Sequence, residues 1–475
     1  MFVRQFVDEG LGNSSYLVAS EEAGLAVAID PQRDVDRYVQ VAEGLGLRLT
    51  HALDTHLHAD FVSGARELAA QAGIRIGASA QAELAFDHLP LREGDTIPLG
   101  DVTIEVLTTP GHTPEHISFA MRPAAPQTHG GAGAESPAAL FSGGALIVGG
   151  AARTDLLGHD LTKPLARHLY HTIHHKLLRF PDDASVYPTH GAGSFCAAPD
   201  ISERTTTIGL ERQRNPLVQA SSEEAFMHLA LEGLPSYPTY YQYMRPVNQR
   251  GPQVLGGLPL LEPLSPASVR QQMEHGVAVI DTRTPHEFAA GHIPGAYGIP
   301  LAAPLVTWAG WVVPFGSPII LVADTPADRE DAVRQLIRIG YDDLRGYLEG
   351  GVAAWEAAGP SAGLRTGLPV ARVPLMTADE LRRQLAQTGD LTVLDVRQDA
   401  EWVAGHIPQA IHIEAGRLPK ESLSLPVDSP VLVHCGHADR STVSISVLEQ
   451  RGYRNLMLLD GGFNAWETAG YEIRQ

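Results

Sequence analysis

The chain has 475 residues, enough for about three domains of ordinary size, each able to bury its own core. Its formal charge of -20 repels nucleic acid and anionic lipid, and two cysteines half a chain apart exclude a disulfide framework. No apolar stretch approaches the roughly 20 residues of a membrane span, and residues 1–5 lack the apolar core of a signal peptide. The expected location is therefore the cytoplasm, with no nucleic-acid or membrane partner.

After the apolar run Leu47 to Leu53 the chain reads Thr55-His56-Leu57-His58-Ala59-Asp60-Phe61, a strand end opening into a loop with three potential metal ligands. His112, in Thr-Pro-Gly-His-Thr, and His190, in Tyr-Pro-Thr-His-Gly, follow apolar runs in the same way. Three such loops predict a metal site. The segment 122–139 has no hydrophobic period and reads as an exposed insertion between strands, and His171, His174 and His175 read as a solvated helix face. The Pro-, Gly- and Tyr-rich stretch beyond Tyr237 reads as a linker.

The remainder is an internal repeat of about 110 residues, the length scale of a whole small domain. Asp281-Thr282-Arg283 through Gly291-His292-Ile293-Pro294 matches Asp395-Val396-Arg397 through Gly405-His406-Ile407-Pro408, and Gly350-Gly351 through Trp355 matches Gly461-Gly462 through Trp466. Both copies alternate short apolar runs with helix-period segments, the pattern of βα units on a parallel sheet. In the second copy Val431 to Val433 lead into Cys435-Gly436-His437-Ala438-Asp439-Arg440-Ser441 and a helical run. A cysteine heading a short loop before a helix meets backbone N–H groups and a positive helix terminus, which favour a thiolate nucleophile. The first copy has Asp324 to Arg329 in that place and no cysteine.

On these motifs residues 1–245 resemble the metallo-β-lactamase superfamily, and both copies resemble rhodanese domains. The resemblance implies an α/β chain, an αββα metallo-β-lactamase sandwich followed by two rhodanese-like α/β domains. The expected divisions are 1–245, a linker 246–264, a cysteine-free copy 265–362 and an active copy 363–475. The order matches multidomain persulfide dioxygenase–sulfurtransferase fusions (CstB-like). It implies Cys435 as persulfide carrier, Arg440 closing its cradle, Gly436, His437, Ala438, Asp439 and Ser441 binding substrate, and Cys196 handling persulfide near the metal.

The implied cofactor is mononuclear Fe(II). Its ligands match His56, His112 and an aspartate in a Gly-Asp-Ala-Leu phrase, with open positions for dioxygen and sulfur. Here that phrase is Gly143-Gly144-Ala145-Leu146, so the carboxylate is missing, and His58, Asp60 and His190 are the nearby side chains that could complete the set. Phe61 replaces the histidine that would serve a second metal. The implied partners are low-molecular-weight persulfides, glutathione or similar thiols, and sulfite, with self-association into a homo-oligomer also expected. The implied activity is oxidation of persulfide to sulfite coupled to sulfur transfer that forms thiosulfate. The alternatives are a sulfur carrier whose first domain is metal-impaired, and a glyoxalase II-like thioester hydrolase.

Overall fold

The computed structural model describes residues 2–123, 139–196, 201–358, 368–387, 389–421 and 423–475. Most of the expected insertion at 122–139 lies outside them. The chain forms two compact units, Met1–Leu258 with Ile337–Gly340, and Pro259–Leu336 with Tyr341–Gln475. None of the described helices is long and apolar enough to cross a membrane.

Strict alternation in the first unit's strands sets its layers. In the strand Asn13–Ser20, Tyr16 and Val18 point one way and Leu17 and Ala19 the other, yet all are buried, so both faces of the sheet are covered. One six-stranded sheet runs in chain order from Phe2–Asp8 to Leu89–Leu91. A second runs Thr206–Thr207, Ser185–Pro188, Ala139–Gly143, Ile117–Pro123, Val102–Thr108, Thr96–Leu99. Tyr16, Val18, Ile29 and Leu53 of the first meet Ile104, Val106, Phe119 and Phe141 of the second in the central core.

On the outer face of the first sheet, Leu17, Ala19, Ala28 and Ala52 pack under the helices Asp36–Gly44 and Ala65–Ala72 through Tyr38, Ala42 and Leu68. Small residues on that face let the helices come close. The second sheet is covered by the helix His159–His175, whose Leu169 and Ile173 join Leu140 and Val186. The result is an αββα sandwich.

A helix spans Tyr241–Arg250, so the fold of this unit continues past residue 245, where the sequence suggests that a linker starts. Pro246 and the neighbouring Gly/Pro content hide it from a pattern reading, but Tyr241, Met244 and Asn248 are buried.

The second unit holds both repeats. Each is a five-stranded parallel sheet of the same order: Pro263–Leu264, Leu344–Leu348, Ile319–Val322, Ala278–Asp281, Tyr297–Gly298, and then Leu375–Met376, Leu456–Leu459, Val431–His434, Thr392–Asp395, Ile411–His412. The Asp-x-Arg motifs are ion pairs at strand ends, Arg283 on Asp281 and Arg397 on Asp395, and each arginine also donates to the carbonyl of the glycine in its Gly-His-Ile-Pro turn.

Candidate functional site

The three histidine loops leave neighbouring strand ends and converge. Nitrogens of His56, His112 and His190, all buried, lie within 4.8 Å of one another. The far nitrogen of each ring faces an acceptor, which fixes the tautomer. His112 Nδ1 donates to the Arg153 carbonyl at 2.6 Å. His56 Nδ1 donates to Thr55 Oγ1 at 2.9 Å, because the Thr55 hydroxyl proton is given to Asp30 Oδ2 at 2.8 Å. His190 Nδ1 faces Asn13 Oδ1 and Asp60 Oδ2, both at 3.2 Å. The three Nε2 atoms are thereby turned toward one place, and His112 Nε2 has no hydrogen-bond partner among the described residues.

Burial, and then the neighbouring rings, push the His56 imidazole far below its usual range, and burial and His190 bring His112 to about 3. Neutral imidazoles with converging lone pairs are the donor set of a divalent transition metal, so the residues present fit one ion.

The other two candidates in the first loop lie elsewhere. His58 Nε2 faces Asp30 at 3.3 Å and Asp54 at 3.9 Å; burial would lower its pKa, but the carboxylates overcome this and raise it. Phe61 stacks on the His58 ring at 4.0 Å, where the superfamily pattern would put another ligand. Asp60 accepts from Asn13 Nδ2 at 2.9 Å and faces His190 Nδ1, so it orients that ring rather than joining the three.

Gly144 is packed tightly. A Cβ there would lie 2.7 Å from His112 Cδ2 and 2.9 Å from the Ala152 Cβ, while the Gly144 N–H donates to His116 Nε2 at 2.9 Å. The aspartate expected by resemblance has no room while His112 keeps this pose.

His116, which the sequence reading missed, also stacks on His56 at 5.0 Å. Asp30 and Asn248 were missed too. Asp30, at φ 49°, accepts from Thr55 and from the Thr189 hydroxyl and so ties two of the histidine loops together. The signal for His116 was its spacing, four residues after His112, which keeps it beside the same strand end.

Cys196 is 1% exposed, grouped with Asp60 and His190, and its Sγ is 4.0 Å from the Tyr241 hydroxyl. Burial and then Asp60 push its pKa well up, so it is held as the thiol.

In the second unit the strand Val431–His434 delivers Cys435, 2% exposed, to a loop that enters the helix Asp439–Gln450. Its peptide planes are fixed from below: Phe463 N donates to the Cys435 carbonyl at 2.7 Å and Asn464 N to that of Gly436 at 3.0 Å. This requires Gly462, at φ +59°, since a Cβ there would meet the carbonyl oxygens of His437, Cys435 and Gly436 at 2.3, 2.5 and 2.7 Å. Arg440 reaches the mouth of the loop and is held by Glu401, with Nη2 2.8 Å from Oε1. His437 faces Asn464 at 3.3 Å, Ala438 and Asp439 lead into the helix, and Ser441 is fully buried below.

The equivalent place in the first copy is a cavity of about 450 Å³ edged by Arg283, Glu287, Asp324, Asp328 and Asp331. Burial and then Glu287 raise the Asp324 carboxyl. No thiol is present to carry sulfur.

An αββα sandwich with a strand-end histidine cluster, joined to two parallel-sheet domains of which one bears a loop cysteine, defines a metallo-β-lactamase-fold protein fused to rhodanese domains. The rhodanese-like domain family matches residues 265–358 and 377–469. The human mitochondrial persulfide dioxygenase ETHE1 is 30% identical over 256 residues, 53% of this chain and 88% of that protein. A hydroxyacylglutathione hydrolase of Polaromonas is 31% identical over 48% of this chain and 88% of its own length. A crystal structure of a metallo-beta-lactamase from Staphylococcus aureus is 31% identical with a TM-score of 0.64, covering 73% of this chain and 98% of that one. The chain belongs to the persulfide dioxygenase family, in a form fused to two rhodanese domains.

Proposed function

We propose that the first unit oxidises the terminal sulfur of a low-molecular-weight persulfide, such as glutathione persulfide, to sulfite, with a mononuclear Fe(II) ion held by His56, His112 and His190. The observation that carries this is the convergence of three buried histidines whose Nδ1 atoms all face oxygen partners, leaving their Nε2 atoms turned toward one place. Bound iron would supply dioxygen activation. The chain's own residues do the rest: Asn13, Asp60, Thr55 and the Arg153 carbonyl hold the ring orientations, Phe61 fills the space of a second ion, and Cys196 forms the wall met by the persulfide sulfur. Overall, persulfide, dioxygen and water become thiol, sulfite and two protons.

Cys435 is the sulfur carrier. Its sulfur attacks the sulfane sulfur of a donor, the donor's S–S bond breaks with the electron pair leaving on the departing thiolate or sulfite, and Cys435 holds the persulfide. Sulfite then attacks the outer sulfur, giving thiosulfate and free Cys435; a thiol such as glutathione is the other acceptor. The cysteine-free copy is a scaffold. The test is oxygen uptake with glutathione persulfide on iron-loaded protein together with elemental analysis, where absence of both iron and uptake sinks the dioxygenase half.

A second reading is favoured by Gly144: a sulfur carrier whose first unit has lost its metal chemistry. Sulfur transfer from protein that takes up no metal would favour it. A glyoxalase II-like hydrolase fits less well, since Phe61 on His58 leaves no second ligand set there; hydrolysis of S-lactoylglutathione tests it.

A further inference from the structure

Glu401 has two tasks in the second rhodanese copy. As the third residue of the helix Asp399–Ala404 it accepts the Gln398 N–H at 3.0 Å, closing the helix N-terminus. Its two carboxylate oxygens also take the two terminal nitrogens of Arg440, in the bidentate fork that guanidinium forms with planar oxyanions. Arg440 covers the loop: a Cβ on Gly436 would lie 3.3 Å from its Nη2. The guanidinium at the cysteine is thus already holding an anion.

The first copy is an internal control. Glu287 occupies the same helix position and accepts from the Thr284 N–H and hydroxyl, while Arg329 donates to the Ala323 carbonyl and lies 4.1 Å over the Tyr347 ring. Helix capping is common to both copies. The fork onto the loop arginine accompanies the cysteine.

We propose that Glu401 is a positioning residue that sets donor specificity at Cys435: an oxyanionic sulfur compound such as thiosulfate or sulfite must displace it from Arg440, whereas a persulfide sulfur, which has no oxyanion to seat in that fork, need not. The inference rests on the reading of Cys435 as the sulfur carrier. With thiosulfate as donor, the bond between its sulfane and sulfonate sulfurs breaks, the new S–S bond forms to Cys435, and the pair of electrons leaves with sulfite. Sulfite departs from the position in which its oxygens face Arg440. Glu401 competes for the fork at both ends of that step, so it acts on the KM of the oxyanion.

The experiment uses the full chain, with cyanide as acceptor and either thiosulfate or glutathione persulfide as donor. Glu401→Gln keeps an oxygen for the Gln398 N–H and removes the charge. It is expected to lower the KM for thiosulfate about tenfold, as removing a competing charge from a bidentate site does, and to move the KM for glutathione persulfide less than about twofold. Glu401→Asp, which keeps the charge but shortens the reach, moves the thiosulfate KM the same way and guards against a folding defect in the first variant. Equal changes for both donors, an unchanged KM ratio or a raised thiosulfate KM overturns the proposal. Wild-type protein that transfers sulfur from neither donor, or that does so equally after Cys435→Ser, removes the reading of Cys435 and the proposal with it.

Discussion

The Nε2 of His190 lies 3.4 Å from the Nε2 of His56, while the Nδ1 of each ring faces an oxygen of its own. The two ring nitrogens meet in a buried pocket with His112 beside them, a donor set that a divalent cation would draw together. His190→Ala and His56→Ala are therefore each expected to weaken metal binding tenfold or more, whereas His58→Gln leaves it intact, since the His58 ring is turned to Asp30. Metal per chain by elemental analysis checks this. Retention of the ion by His190→Ala with loss by His58→Gln would show that the wrong histidine has been placed in the set.

Gly144 is the departure from the family pattern, and its surroundings have closed around it. Gly144→Ala is expected to destabilise the first unit by roughly 1–3 kcal/mol, because its methyl meets His112 Cδ2 and the Ala152 Cβ below contact distance. For the same reason Gly144→Asp lowers metal content rather than restoring a carboxylate ligand. Thermal unfolding and elemental analysis read the two effects. An unchanged melting temperature, or a gain of metal in Gly144→Asp, would mean that His112 moves aside freely.

What the sequence shows of this site follows from how local each feature is. His56 and His112 are legible because Gly, Pro and strand-end context mark a loop within a few residues. The third member of the cluster was not, because His58, Asp60 and His190 are equivalent in sequence and only the fold turns one toward Asp30 and another toward His56. The repeat is legible through Gly-Gly-x-x-x-Trp, yet the reason for its second glycine, three carbonyl oxygens pressed against Gly462, is a contact between distant segments. Gly351, its counterpart, has open space around the same atom, so identical motifs carry unequal constraint.

Asn248 sits where composition suggests a linker and acts instead as a clamp on the first histidine loop. Its Nδ2 donates to the carbonyls of His58 and Phe61 and its Oδ1 accepts from Ser63 N, each at 2.9 Å. Asn248→Ala leaves three buried backbone groups without partners and is expected to cost about 1–3 kcal/mol or more, and to reduce metal retention against a chelator. An unaltered melting temperature and chelator sensitivity would make the helix Tyr241–Arg250 a bystander.

Cys435 and the histidine cluster belong to separate units, so their activities divide. Cys435→Ser is expected to abolish sulfur transfer to cyanide or sulfite and to leave oxygen uptake with glutathione persulfide within about twofold of wild type, since no group of the first unit changes. Loss of both activities would tie the oxygen reaction to the carrier cysteine.

The residue before that cysteine gives the second unit an acid sensitivity with a definite window. Burial lowers the His434 imidazole from 6.5 to about 4, and the partly opposing Asp395 carboxylate, 3.6 Å away, does not restore it. The folded state keeps His434 neutral down to about pH 4, while the unfolded chain binds its proton from about pH 6.5 downward. Between those values the unfolded state holds more protons, so stability rises with pH. The contribution is complete above pH 6.5 and is lost progressively toward pH 4, by about 3 kcal/mol in all. His434→Gln removes this dependence, so the stability gap between wild type and variant is expected to narrow on going from pH 7 to pH 5. All five tryptophans lie between Trp308 and Trp466, so urea unfolding followed by tryptophan fluorescence reports this unit alone. A gap that stays constant over that range would mean that His434 is charged, or is equally neutral in both states.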